Sequence, residues 1–167
     1  RVDLGKAYIN RGDLCGESRQ HDESNKWYAR AVETLDSVVP QLRPHAHTLN
    51  SYVTVQENRY TALEAINRHD EALEALNAAE AVLIPIAEQR PSTHRAQLAK
   101  LWHRKAETTL YSSQSDASSV IQLYESALNT RRQLMAEHPN DAKQVMDLAE
   151  LMVCYARTLL VLYRESE

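Results

Sequence analysis

HDEALEALNAAE, residues 69–80, decides the fold once it is laid over HDESNKWYARAV at 21–32 and ASSVIQLYESAL at 117–128. The three segments start 48 residues apart, and the positions they share are those that matter for packing. Ser24, Ala72 and Val120 form one column, Tyr28, Leu76 and Tyr124 a second, and Ala31, Ala79 and Ala127 a third. His21-Asp22-Glu23 returns as His69-Asp70-Glu71, and Pro91 returns as Pro139. Within the segments apolar residues follow a 3.6-residue period: Ala72, Leu73, Leu76, Ala79, Leu83 and Ile86 make one stripe, and Val120, Leu123, Tyr124, Ala127, Leu128 and Leu134 its counterpart. A helical unit repeated at fixed spacing cannot bury its stripe alone and must stack on its neighbours. The sequence therefore predicts an all-α solenoid of antiparallel helix pairs, with about seven helices.

Folding the chain on its period places first (A) helices at 2–17, 46–66, 93–112 and 141–164, and second (B) helices at 22–40, 70–89 and 117–137. Pro44, Pro91 and Pro139 stand just before A helices, where proline stops the helix before it, and Ser92 and Asn140 are candidate caps. Asp70 and Asp116 are candidate caps for B helices, and the short turns force antiparallel neighbours. One repeat domain over 1–167 is expected, with units of about 1–44, 45–92 and 93–140 and a half unit at 141–167. No signal peptide is read in the sequence, and because the chain begins at Arg1 it is expected to be a fragment of a longer protein, whose missing N-terminus is where one could have stood.

Composition supports helices and limits the partners. There are 3 Gly, 5 Pro and no Phe against 43% hydrophobic residues, so few positions break a helix. The net charge of −4 is spread over 19 basic and 23 acidic residues without a basic patch, which disfavours nucleic acid. The richest apolar run, 145–163, is cut by Asp147, Glu150 and Arg157, so no membrane span is expected. Cys15 and Cys154 fall on the first and last A helices. Packed helices lie about 8–10 Å apart, so three such steps exceed the roughly 7 Å Cα separation a disulfide tolerates. Free thiols and a cytoplasmic location follow.

The columns resemble the tetratricopeptide repeat (TPR). Its pattern sets an aromatic, a small residue and a large residue on the A helix, then Ala, an aromatic and Ala on the B helix. Tyr8, Gly12 and Cys15 followed by Ser24, Tyr28 and Ala31 fit the first unit; Gln56, Tyr60 and Leu63 with Ala72, Leu76 and Ala79 the second; Arg104, Thr108 and Tyr111 with Val120, Tyr124 and Ala127 the third. Met152, Ala156 and Leu159 begin a fourth. Tyr60 and Thr108 stand where the family prefers Gly or Ala, which predicts looser packing there. The usual family repeat is shorter, and the segment at 124–139 with Asp147-Leu148-Ala149 resembles long repeats attached to bacterial signalling proteins, including serine/threonine kinases. The resemblance implies a right-handed superhelix that binds a protein or peptide in a concave groove lined by A helices.

Carried onto this chain, that lining is Lys6, Ile9 and Asp13; Thr54, Glu57, Thr61 and Glu64; Trp102, Lys105 and Thr109; and Glu150, Val153 and Arg157. Its mixed signs suit an extended peptide of mixed charge. Lys105 and Arg157 are too few for the carboxylate clamp of chaperone-binding members, and Trp102 is the expected anchor. No enzyme, cofactor or metal site is expected: phosphate loops, serine elbows and spaced carboxylates are absent from the sequence. His45 and His47, two apart, would point about 200° from each other on a helix and cannot share one ion there. The recurring His21 and His69 mark a shared turn, and His103 beside Trp102 is expected as a partly covered surface pair.

The last helix is apolar around most of its circumference, from Val145 and Met146 through Leu159, Leu160 and Val161. Terminal solenoid helices normally turn a polar face outward. Either a B helix of the longer protein covers it, which is favoured because the chain stops where one is due, or a second copy does, giving a homodimer through 141–164. The competing function is accordingly a self-associating structural or regulatory appendage of a signalling enzyme whose catalytic domain lies elsewhere.

Overall fold

The computed structural model describes residues 2–36, 46–89, 91–113 and 115–165. They form seven α-helices: α1 (Val2–Glu17), α2 (His21–Asp36), α3 (Ala46–Glu64), α4 (His69–Gln89), α5 (Pro91–Tyr111), α6 (Ala117–Glu137) and α7 (Ala142–Glu165). Among the described residues there is no strand, so the fold is an all-α helical repeat. Pro44, His45 and the expected end of the second helix at 37–40 lie outside the described residues.

The repeat columns are the core. Ser24, Ala72, Val120, Tyr28, Leu76, Tyr124, Ala31, Ala79 and Ala127 are each no more than 5% exposed, so residues 48 apart occupy equivalent buried positions. The chain divides into two compact units, Arg1–Ile86 and Ala87–Glu167. In the first, α2 packs on both α1 and α3, and α1 also touches α3. Its core joins Tyr28, Ala31, Val32 and Leu35 of α2 to Tyr52, Val55 and Ala62 of α3, with Tyr8, Ile9 and Val82 against it. In the second, α6 packs on α5 and α7. Ala106, Val120, Tyr124, Ala127, Leu128, Leu148 and Leu151 are its buried centre. The boundary between the units falls one residue after Pro85, which lies inside α4 and has no N–H for the Ala81 carbonyl.

The first two A-to-B turns repeat down to single hydrogen bonds. Gln20 N donates to Cys15 O at 2.9 Å and Arg19 N to Gly16 O at 2.9 Å; 48 residues on, Arg68 N donates to Leu63 O at 3.0 Å and Asn67 N to Glu64 O at 3.0 Å. Arg19 and Asn67 both adopt the left-handed conformation, with φ of 57° and 58°. Each set is a complete Schellman motif, which satisfies the last carbonyls of the A helix and aims the chain back along it. His21 and His69 open the B helices that follow, as the repeat implies.

Three cap expectations need correction. Helix α5 starts at Pro91, so proline occupies the first helical position, where its missing N–H costs nothing, and Ser92 lies inside the helix. Asp141, not Asn140, caps α7 by accepting from Lys143 N at 2.9 Å. Helix α4 starts at His69, which places Asp70 in its first turn. Asp116 does cap α6, accepting from the Ser119 hydroxyl at 2.6 Å and from Ser119 N at 2.8 Å, and these bonds hold its carboxyl below the usual range. Of the two residues that replace Gly or Ala on the A helices, Thr108 is buried, 1% exposed, and Tyr60 is half-buried.

One column breaks its pattern. Leu35 and Leu83 are followed 48 residues later by Arg131, which is buried and reaches Asp147 of α7 at 2.8 Å. Outward, α7 exposes Val145, Met146, Met152, Val153, Leu159, Leu160, Val161 and Tyr163, with Met146 71% and Tyr163 64% accessible. The apolar outer face expected from the sequence is therefore present.

Candidate partner-binding surface

Helix spacing puts Lys6, Ile9 and Asn10 on one face of α1, and Asn50 and Thr54 one turn apart on α3. Together with Ser51 these six residues line an open pocket of about 280 Å³ in the first unit. Lys6, Ile9 and Thr54 were expected on this lining from the resemblance; Asn10, Asn50 and Ser51 were not. Lys6 and Thr54 are exposed and Ile9 is half-buried against the core. The Thr54 hydroxyl donates to Asn50 O at 2.9 Å and that of Thr61 to Glu57 O at 3.0 Å, which leaves both oxygens as acceptors at the surface. Glu57 is half-buried, and Glu64 pairs with His69 Nδ1 at 3.0 Å, across the turn into α4.

Asp13, also expected on the lining, is half-buried and does not line the pocket. Its Oδ1 accepts from Tyr28 Oη at 2.7 Å and from Asn58 Nδ2 at 3.0 Å, tying α1 to α2 and α3. Burial first, then this carboxylate, pushes the Tyr28 hydroxyl up to about 12. Arg59 Nε donates to Asn25 at 3.2 Å, a second polar link between α2 and α3. These links hold the pocket walls, and neither Asn58 nor Arg59 carries a sequence signal that sets it apart from other surface polar residues.

In the second unit Trp102 is half-buried and packs against the core cluster, and Lys105 is half-buried as well. Thr109 is buried and its hydroxyl donates to Lys105 O at 2.6 Å, so it contributes little surface. Glu150, Val153 and Arg157 are exposed on α7. Between these sets stand His103, Glu107 and Cys154, whose potential ligand atoms all lie within 4.8 Å of one another. His103 Nε2 approaches Glu107 Oε1 at 3.5 Å, and its ring is 5.7 Å from that of Tyr124. The approach of His103 holds the Glu107 carboxyl below its ordinary range, while burial raises the Cys154 thiol. Cys154 and the buried Cys15 are both free thiols. Among the described residues no helix is long and apolar enough to cross a membrane.

No protein-family model and no curated protein matches the chain. Solved structures do. The first TPR of Spaghetti (RPAP3) bound to the HSP90 peptide SRMEEVD superimposes with a TM-score of 0.50 at 14% identity, covering 93% of this chain and 96% of that one. The NMR structure of the first TPR domain of human RPAP3 superimposes with a TM-score of 0.52 at 14% identity, covering 95% of this chain and 97% of that one. At this identity the likeness establishes the fold: the chain is a TPR-like all-α repeat.

Proposed function

We propose that the chain is a protein-interaction scaffold, a single cytoplasmic repeat domain without a catalytic step, which takes an extended segment of a partner protein against its A helices. The observation that carries this is the open pocket between α1 and α3, lined by Lys6, Ile9 and Thr54 together with two asparagines and a serine. One cation and several neutral donors suit a segment rich in carbonyl oxygens and bearing a carboxylate. Helices already packed and cross-tied by Asp13 need little rearrangement when a segment docks, so less of the contact energy is lost to ordering. Peptide recognition by a structural neighbour, the Spaghetti domain with its HSP90 peptide, supports this use of the fold.

Glu57, Thr61 and Glu64 on α3, Trp102, Lys105 and Thr109 on α5, and Glu150, Val153 and Arg157 on α7 are proposed to extend the contact within their own units. Fluorescence anisotropy with labelled SRMEEVD and with mixed-charge heptapeptides tests the proposal. Thr54→Trp fills the pocket and Lys6→Glu inverts its charge; each should weaken a bound peptide by about tenfold, equivalent to about 1.4 kcal/mol. Peptides that bind the wild type and both variants alike would remove the pocket from the contact.

The exposed apolar side of α7 supports a second reading, self-association of a structural or regulatory appendage to a signalling enzyme. Light scattering should then give a mass near twice 19.0 kDa that Leu160→Glu returns to the monomer. Thr54→Trp should leave that mass unchanged, which separates the two readings.

A further inference from the structure

His103 and Glu107 are four residues apart on α5, so their side chains lie on one face, one turn from each other. Cys154 of α7 completes a trio whose potential ligand atoms are within 4.8 Å of one another. The His103 side chain is only 18% exposed, and its Nε2 is buried with no hydrogen-bond partner of good geometry. Native proteins rarely leave such an atom unsatisfied, and an imidazole nitrogen facing a carboxylate and a thiol has the surroundings of a metal ligand. We propose that His103, Glu107 and Cys154 bind one divalent transition-metal ion of the zinc class.

The donor set selects the ion. One nitrogen, one sulfur and one carboxylate oxygen match the ligands zinc uses, whereas calcium and magnesium take oxygen alone. Zinc bonds of about 2.0–2.3 Å put neighbouring ligand atoms of a tetrahedron roughly 3.3–3.7 Å apart. The 3.5 Å between His103 and Glu107 already meets this. The widest gap in the trio, at most 4.8 Å, closes by about 1 Å through side-chain rotation. Three protein ligands leave the fourth position to water. Coordination forms the metal–sulfur bond and releases the Cys154 thiol proton to solvent. The ion would join α5 to α7.

Cobalt(II), added to the metal-stripped full chain, is the optical probe, with zinc as competitor. A thiolate-to-cobalt charge-transfer band saturating at one ion per chain is expected, absent in Cys154→Ser and unchanged in Cys15→Ser. Loss of an outer-shell partner commonly weakens a metal by about 10–100-fold, so His103→Ala, which removes a direct ligand, should weaken zinc by at least about 100-fold. Zinc should raise the melting temperature of the wild type and not of Cys154→Ser. If circular dichroism shows that Cys154→Ser does not fold, the nearly isosteric Glu107→Gln takes its place and should weaken cobalt at least about tenfold. No charge-transfer band, a band that survives Cys154→Ser or vanishes with Cys15→Ser, or equal zinc stabilisation of wild type and Cys154→Ser would each overturn the assignment, as would unchanged cobalt affinity in Glu107→Gln.

Discussion

Gly12 and Gly16 lie one turn apart on α1, and the same substitution should move stability in opposite directions at the two positions. A Cβ built on Gly12 would stand 2.5 Å from Tyr28 Cε1, 2.6 Å from Cδ1 and 3.0 Å from Cζ. The ring cannot swing away, because it is buried and its hydroxyl is bonded to Asp13 at 2.7 Å. The backbone cannot yield freely either, since Ser24 Oγ donates to Gly12 O at 2.8 Å. Overpacking of this kind costs about 1–3 kcal/mol, against a helix-propensity gain from Gly to Ala of about 1 kcal/mol. Gly12→Ala should therefore lose up to about 2 kcal/mol. At Gly16 the nearest atoms are Ser24 Oγ at 3.4 Å and Tyr28 Oη at 3.9 Å, which is ordinary contact. There the propensity gain prevails, and Gly16→Ala should be more stable by about 0.5–1 kcal/mol. The change in unfolded-chain entropy is common to both and cancels in the comparison. Urea unfolding followed by circular dichroism reads the difference, expected at about 1–3 kcal/mol. A Gly12→Ala protein as stable as Gly16→Ala would mean that Tyr28 does not fill the space the missing side chain leaves.

Three further outcomes follow from burial and backbone geometry. Ala79→Leu places a large side chain at a fully buried position and should cost about 1–3 kcal/mol; an unchanged melting temperature would contradict the repeat register. Arg19→Gly should relieve the left-handed conformation and stabilise by about 1 kcal/mol, whereas Asn67→Gly should change little, because Asn tolerates that conformation. Burial is the first cause pushing the hydroxyls of Tyr28, Tyr52 and Tyr124 from 10.0 up to about 12. Their protonated form is the one folding favours, so their contribution is complete below pH 10 and declines as pH rises toward about 12, where the unfolded chain has already ionised. Across that window melting temperatures should fall while tyrosinate absorbance rises; a flat profile would refute the burial argument.

Helix number, type and most boundaries were legible because a 48-residue period is written in the packing residues themselves: Tyr28, Leu76 and Tyr124 are buried because each faces a neighbouring helix. Caps were less legible, since Asn140 and Asp141 are both good cap residues and only backbone geometry separates them. The left-handed turn shows in the residue type at Asn67 but not at Arg19, although the hydrogen bonds are the same. Arg131 did leave a trace, a charge in a leucine column, yet its partner Asp147 belongs to the next helix and is not marked by the repeat. On the candidate surface, Lys6, Ile9 and Thr54 came from the family pattern, while Asn10 and Asn50 needed the α1–α3 contact to bring them together. His103 and Glu107 show their four-residue spacing in the sequence. Cys154, 47 residues beyond Glu107, joins them only through tertiary packing.

The paired Schellman turns bear on how the chain emerges from synthesis. Each closes through bonds spanning no more than five positions, so the reversal after α1, and again after α3, is specified before any distant partner exists. A growing chain can seal its first hairpin while the rest is still being made, with little loop-closure entropy to overcome. Apolar stripes on the nascent helices then spend little time uncovered, which limits the window for aggregation.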